Sequence, residues 1–509
     1  MQRYAWLLPC ITLLAIMTAS CGNSEDNGDG TPTASQDDGY DPGAFTLAEG
    51  PTFVGEEPGD TLSTVMPGDF NGDGEMDLAL GAAFADGADG PDAGKVYVFY
   101  SVANLPSGEV PVGEADAIFT GSAGDQTGRA LAAADINGDR VDDLIIGAPA
   151  ASDGERAQAG KVYVLVGNPV FDQVRAAELS GNEPAITGGD EGDYLGYTLT
   201  TGDFNNDGTS DLAIGAFLAD GPDNEREDAG EVHILYGGDP PRDVDLAASS
   251  LDAVVYGAEP GDRLSEGLAS GDFNGDRRDD LIVAATFGDS DEAEDAGTTY
   301  VLTAEMLNVL DLADTVRGAV ISGIDAGDQL GHSLAAGDLN GDGFDDILLG
   351  AVSGDGPDNA ADLAGEVAIV FGTAEPQSRI EARTDAAIIY GVAAGRLGRA
   401  VAAGDLSGDG LADAVLCASE APDGDGNPEA GALYVLPGKP EGTIPGSAAE
   451  AATAYYGLPH ENLCTQVNGI PATAVRDLNR DDMADIAVAA PRANEDRGRV
   501  IVLMAQVAR

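Results

Sequence analysis

Seven times along this chain, three aspartates and an asparagine or serine fall at fixed places in a nine-residue run. In the first copy, Asp69-Phe70-Asn71-Gly72-Asp73-Gly74-Glu75-Met76-Asp77, the oxygen-bearing side chains are Asp69, Asn71, Asp73 and Asp77. The others are Asp135, Asn137, Asp139 and Asp143; Asp203, Asn205, Asp207 and Asp211; and Asp272, Asn274, Asp276 and Asp280. Then follow Asp338, Asn340, Asp342 and Asp346; Asp405, Ser407, Asp409 and Asp413; and Asp477, Asn479, Asp481 and Asp485. Hard oxygen donors on alternate residues of a tight turn offer capture of a hard cation. Ca2+ takes six to eight oxygens at about 2.3–2.6 Å in flexible geometry, whereas Mg2+ keeps its waters and a stricter octahedron. The reading is up to seven Ca2+, one per copy, with a backbone carbonyl from the seventh place and the last Asp closing the cage bidentately.

An EF-hand opens the same way but needs Glu at place twelve and a following helix. Here place twelve is Leu80, Ile146, Ile214, Val283, Leu349, Leu416 or Val488, each in a short apolar run. The sites are not expected to be equal. Place six calls for Gly, which accepts an unusual backbone conformation. Gly74, Gly208, Gly343 and Gly410 meet that need, and Arg140, Arg277 and Asp482 do not. Ser407 is a poorer ligand than Asn. The first, third and fifth loops rank strongest and the seventh weakest.

The loop starts lie 66, 68, 69, 66, 67 and 72 residues apart, so one supersecondary unit repeats along the chain. Each copy has Gly-Asp-x-Leu-Gly or a variant, such as Gly327-Asp328-Gln329-Leu330-Gly331, then a short apolar segment into the loop. A second apolar segment leaves it, as in Leu144-Ile145-Ile146. A third begins at Ala-Gly (Ala93-Gly94, Ala159-Gly160, Ala229-Gly230), and a fourth follows, such as Ala117–Thr120. Short Val/Ile/Leu/Tyr runs between Gly/Asp/Pro clusters mark an all-β chain. Four short antiparallel strands per unit form one twisted sheet, and stacking seven copies around an axis covers both its faces. The fold class read here is a seven-bladed β-propeller over residues 46–509. A linear solenoid is the runner-up, but it would want atypical capping repeats.

The formal charge is −66, from 90 acidic and 24 basic residues. The ligand places of the loops hold three carboxylates each, 21 in all, and 69 of the 90 acidic residues lie at other positions. Such a surface repels phosphate backbones, so nucleic-acid binding is disfavoured. His233, His332 and His460 have no catalytic spacing, and no nucleophile elbow, phosphate loop or dinucleotide fingerprint occurs. A glycosidase carboxylate pair could hide among so many Asp, but nothing selects one. Cys417 and Cys464 are either a disulfide or two buried thiols.

The order Leu-Gly, Asp-x-Asn-x-Asp-Gly-x-x-Asp, Gly-Ala-Pro resembles the FG-GAP repeats of integrin α-subunit propellers and their bacterial relatives, over residues 59 to 503. The resemblance implies a seven-bladed propeller with Ca2+ in loops on one face. Integrins carry such loops on only some blades, so seven favour the bacterial branch. At the N-terminus, Arg3, the apolar run Trp6 to Met17, and Thr18-Ala19-Ser20-Cys21 form a targeting segment over residues 1–20. Thr-Ala-Ser-Cys looks like a bacterial lipobox with Thr in place of the usual Leu, making Cys21 the lipidated residue. An ordinary cleaved signal peptide is the alternative. Residues 21–45 are polar and acidic, and read as a flexible tether. The expected protein is an exported, outer-membrane-anchored module that binds a protein or glycan at the cell surface, touching the membrane through its lipid only. Acidic loops Asp86–Asp92, Asp220–Asp223 and Asp355–Asp358 are candidate contacts, with ordinary turn chemistry as the competing account. A polysaccharide hydrolase or lyase, and a passive envelope structural protein, are the alternatives.

Overall fold

Each acidic loop leads into a six-residue strand without an exposed position. These strands are Asp77–Ala82, Asp143–Ala148, Asp211–Ala216, Asp280–Ala285, Asp346–Ala351, Asp413–Ala418 and Asp485–Ala490. Successive side chains of a strand point to opposite faces, so a fully buried strand lies in a sheet covered on both sides. That explains why Leu144-Ile145-Ile146 shows no polar alternation.

The computed structural model describes residues 45–507, apart from 155, 169–176, 180–182, 291–292, 304–306, 315–317, 441–443, 445, 449–450, 452 and 466–472. Pro42–Arg509 forms one unit; Met1–Asp41 is separate and outside the described residues, as are the targeting segment, Cys21 and nearly all of the tether. Seven sheets are built alike. In the first, Thr64–Gly68, Asp77–Ala82, Lys95–Phe99 and Ala117–Thr120 pair antiparallel in that order. The first strands of neighbouring sheets lie against one another all round, and Thr473–Arg476 returns to Thr64–Gly68. The fold is therefore a closed seven-bladed β-propeller, not a solenoid. Cores such as Phe70, Leu144, Ile146 and Tyr163 fill the space between adjacent blades.

Two sequence signatures meet across every joint. Gly94, which opens the third strand of the first blade, sits at φ 77, and a Cβ there would lie 2.2 Å from the backbone nitrogen of Thr127 in the next blade. Around the ring the same contact joins Gly498 of the last blade to Leu62 of the first. The Ala-Gly step is thus the slot into which the next blade's Leu-Gly turn fits.

The structure adds a fifth strand to the four anticipated. The segment between the third and fourth strands of a repeat lays a short parallel strand on the outer edge of the preceding blade. Ala177–Glu178 pairs with Phe119–Thr120, Val244–Asp245 with Ile186–Thr187, Val309–Asp311 with Val254–Tyr256, and Arg379–Glu381 with Val320–Ser322. Arg156 and Arg226 reach from the loops between second and third strands to Asp245 and Asp311 on these added strands. Edges are thereby covered instead of left open for pairing. The seventh blade takes its fourth strand, Phe45–Val54, from the start of the described chain, paired antiparallel with Arg499–Val507.

Cys417 and Cys464 form a disulfide, with Cα atoms 5.5 Å apart across 47 residues of sequence. It ties the sixth blade's second strand to the turn that opens the seventh repeat, which settles the choice left open above. Closing a loop of that length stabilises by about 4 kcal/mol on chain entropy. Reduction, or Cys417→Ala with Cys464→Ala, is expected to lower stability by about that amount in a denaturant titration. An unchanged midpoint would show the bond contributes nothing.

Candidate metal centre

The acidic loops are the hairpins between first and second strands, so all seven share one end of the propeller. The loops between second and third strands, Asp86–Asp92 among them, lie at the opposite end. Within each hairpin the backbone is built around the aspartates. In the first copy Asp69 Oδ1 accepts from the Gly72 N–H (2.8 Å), and its Oδ2 accepts from Gly74 N–H (2.9 Å). Asn71 Oδ1 accepts from Asp73 N–H, and Asp73 Oδ1 from Glu75 N–H, at 2.8 and 2.7 Å. The fifth copy repeats this, with Asp338, Asn340 and Asp342 accepting from Gly341, Gly343, Asp342 and Phe344.

The ninth-place Asp is fully buried in every copy. Its two oxygens hold the neck of the loop. Asp77 accepts from Phe70 N–H at 3.0 Å and from Ser101 N–H, beyond the third strand, at 2.9 Å. Asp346 accepts from Leu339 and Gly372 in the same way, at 3.1 and 3.0 Å. In the second and fourth copies the Asn137 and Asn274 amides also donate to Asp143 and Asp280. This anchoring role was not visible in the sequence, which suggested only a ligand.

Burial pushes these carboxyls up, to about 7 for Asp77, Asp280, Asp346 and Asp485. Asp143, Asp211 and Asp413 rise to about 6. Repulsion from the carboxylate at place five adds to the rise, and backbone N–H groups oppose it. Among the described residues no group of three or more His, Cys, Asp or Glu side chains is gathered closely enough to hold an ion as it stands. The donor set nevertheless fits a hard cation. Each loop concentrates carboxylates around a buried one, and the first, third, fifth and sixth copies contain no basic residue. Asp77 feels repulsion from both Asp73 and Asp69, which a cation would convert into attraction.

The sixth place is left-handed throughout, with φ of 83 at Gly74, 74 at Arg140, 69 at Arg277 and 66 at Asp482. So is the fourth place, a requirement that sequence reasoning missed: Gly72 has φ 71, Asn206 58 and Arg480 62. The third loop therefore carries one strained residue, Asn206, and the seventh carries two, Arg480 and Asp482. Arg480 has a compensation, since its guanidinium lies 3.3 Å from Glu75 of the first loop. Nothing lies within 4 Å of a Cβ added at Gly343, so Gly343→Ala isolates the conformational cost. A loss of about 1–2 kcal/mol is expected there, and a gain of similar size for Asp482→Gly; melting curves in excess calcium check both.

The remaining candidates fall elsewhere. His233 lies 3.1 Å from Glu231 and His460 lies 3.2 Å from Glu429, while His332 is held neutral, pushed down to about 3 by burial and by Arg399 and Arg396. In the opposite-end loops Asp92, Asp228 and Leu363 donate their N–H groups to Asp86, Asp220 and Asp355. The first Asp of each thus performs turn chemistry, and Asp89, Asp223 and Asp358 remain toward solvent.

These features define a seven-bladed β-propeller with one acidic hairpin per blade. The family model described as "FG-GAP repeat" matches residues 61–99, 127–165, 195–235, 266–302, 330–370, 397–436 and 471–503, and the chain belongs to the FG-GAP repeat family. It is 29% identical over 234 residues to Integrin alpha-PS2 of Drosophila melanogaster, covering 45% of this chain and 15% of that protein. It is 30% identical over 306 residues to Integrin alpha pat-2 of Caenorhabditis briggsae, covering 56% and 22%. Over 158 residues it is 35% identical to the phosphatidylinositol-glycan-specific phospholipase D of Mus musculus, covering 30% and 18%. The chain thus spans less than a quarter of the length of these curated relatives. Among the described residues no helix is long and apolar enough to cross a membrane.

Proposed function

We propose that this chain is an exported, calcium-binding propeller, anchored to the bacterial outer membrane through Cys21, that serves as a surface binding or adhesion module for a protein or glycan. The observation that carries the reading is the division of labour between the two ends. One end holds seven near-identical hairpins that suit Ca2+ and rigidify the frame. The other end presents turns that differ from blade to blade, which is where selectivity can reside. Kinship with integrin α-subunits supports the reading.

Capture of partners from the native cell surface by the calcium-loaded protein, followed by a glycan array, tests the proposal. A retained ligand that emerges unmodified supports it. Retention of nothing would point to the passive structural role.

One observation favours the second reading, a polysaccharide hydrolase or lyase. A hollow of about 810 Å3 on the fourth blade is lined by Glu259, Asp262, Asp289, Asp295 and Tyr300. Burial first, then repulsion from Glu259 and Asp289, raises the Asp262 carboxyl to about 7, a value suited to a general acid. Release of product from a polysaccharide panel, abolished by Asp262→Asn, would establish that reading in place of the first.

A further inference from the structure

The end opposite the hairpins carries an accumulation of positive charge that the formal charge of −66 conceals. The residue after each Leu-Gly step starts a first strand, and the first strands ring the axis. At that position stand Arg129, Tyr197, Glu266, His332 and Arg399 in the second to sixth blades. Three places earlier stand Arg263 and Arg396.

These groups interact with one another. The Arg129 guanidinium lies 4.4 Å over the Tyr197 ring, and Tyr197 lies 3.9 Å from the Phe217 ring. Arg263 covers Phe287 at 4.7 Å and lies 3.8 Å from Glu266. Arg399 is within electrostatic reach of Tyr197, two guanidiniums (Arg396 and Arg492) and one carboxylate, Glu420. Glu420 is already engaged by Arg396 at 2.8 Å. Among the described residues, five arginines gather here, with Glu266 and Glu420 among them. Gathering like charges costs free energy unless a counter-charge joins them, the mirror of the case made for the hairpins. Arg492 remains open to solvent, and Arg396 is half-buried.

Resting on the binding-module reading, we propose that this axial mouth is the ligand site and that it takes a carboxylate-bearing saccharide. Guanidiniums recognise carboxylates with fork geometry. The rings of Tyr194 and Tyr197, both set against Phe217, supply an apolar wall beside them. Gln126 and Gln329, in register with Arg263 and Arg396, add amides suited to hydroxyls. An extended acidic peptide fits less well. Peptides held by strand addition need an open sheet edge, and most blade edges carry the donated fifth strand instead.

The test is calorimetric titration of the calcium-loaded chain, in constant excess calcium, with a glucuronate-containing oligosaccharide. Its uncharged glucose counterpart, inorganic sulfate and a polyglutamate peptide are run alongside. The acidic saccharide is expected to bind at least about ten-fold tighter than the neutral one, the scale of one lost charged hydrogen bond. Arg399→Gln and the exposed Arg492→Gln should each lose a similar factor with melting not lowered, while Arg242→Gln, on an exposed loop after the third strand of its blade and beside Asp239, behaves as the parent. Equal binding of the neutral saccharide, indifference to both arginine changes, or polyglutamate binding as tightly would overturn the proposal, as would retention of sulfate alone. If partners are captured from the cell surface by a protein with Arg399→Gln and Arg492→Gln as readily as by the parent, this site falls and the binding-module reading stands. If nothing binds in either assay, both fall.

Discussion

Exhaustive chelation is expected to lower the unfolding temperature of this protein by about 10 °C or more. A site filled a thousand-fold over its dissociation constant adds about 4 kcal/mol to stability. Unfolding entropy near 2.1 cal/mol/K per residue makes 1 kcal/mol worth about 1 °C for a body of this size. Three saturated hairpins then account for roughly 12 °C, and seven hairpins are present. Part of each ligand term is relief of repulsion, because an emptied loop keeps a buried aspartate facing its siblings, as Asp77 faces Asp73 and Asp69. Loss should also be graded. The seventh hairpin, strained at Arg480 and Asp482, empties first, and the first and fifth, with Gly at both left-handed places, empty last. Calorimetry after dialysis against chelator, then against excess Ca2+ or Mg2+, reads this directly. A melting curve that ignores the treatment would sink the calcium reading, and full restoration by Mg2+ at equal concentration would correct the metal.

Much of this architecture could be read from the chain because the physical requirement and the sequence signal coincide locally. Strands such as Leu144-Ile145-Ile146 must be apolar on both faces, so they stand out as unbroken runs. Leu-Gly and Ala-Gly recur because each pair forms one inter-blade contact, such as Gly94 against Thr127. The hairpins recur because a tight turn with alternating oxygens leaves little latitude. What escaped the sequence lacks such a local mark. The added parallel strands are two to four residues long, Ala177–Glu178 being the shortest kind, and too brief for any periodicity. The fourth-place backbone requirement was hidden because Gly fills it in most copies and Asn206, tolerant of the left-handed region, in another. The anchoring of Asp77 to Ser101 joins residues 24 apart through a backbone N–H, which has no residue identity to read. The axial arginines were invisible for a different reason: they come from separate blades, and only closure of the ring brings them together.

Ring closure itself supplies the other large expected effect. Removing residues 45–54, with the flanking segments joined, is expected to abolish the cooperative folded monomer. This strand is the fourth of the seventh blade, paired from Phe45↔Val507 to Val54↔Arg499 with one irregularity between Glu49 and Thr52. On its other side it holds Gly108–Pro111 of the first repeat in parallel register. Phe53 is fully buried, 4.5 Å from the Phe99 ring of the first blade, and Glu49 accepts a hydrogen bond from Tyr455 of the sixth. One ten-residue strand therefore bonds to three successive blades. Without it, Arg499–Val507 becomes a long apolar edge, with Val500 to Leu503 inside the core, and such an edge templates pairing between molecules. Size-exclusion chromatography should show the truncated chain as aggregate, and its melting should lose the sharp transition. Phe53→Ala provides the graded version: about 3–5 kcal/mol lost to a cavity, with the monomer retained. A truncated protein that elutes and melts as the parent does would mean that the ring is held by contacts between blades alone and that the shared strand is dispensable.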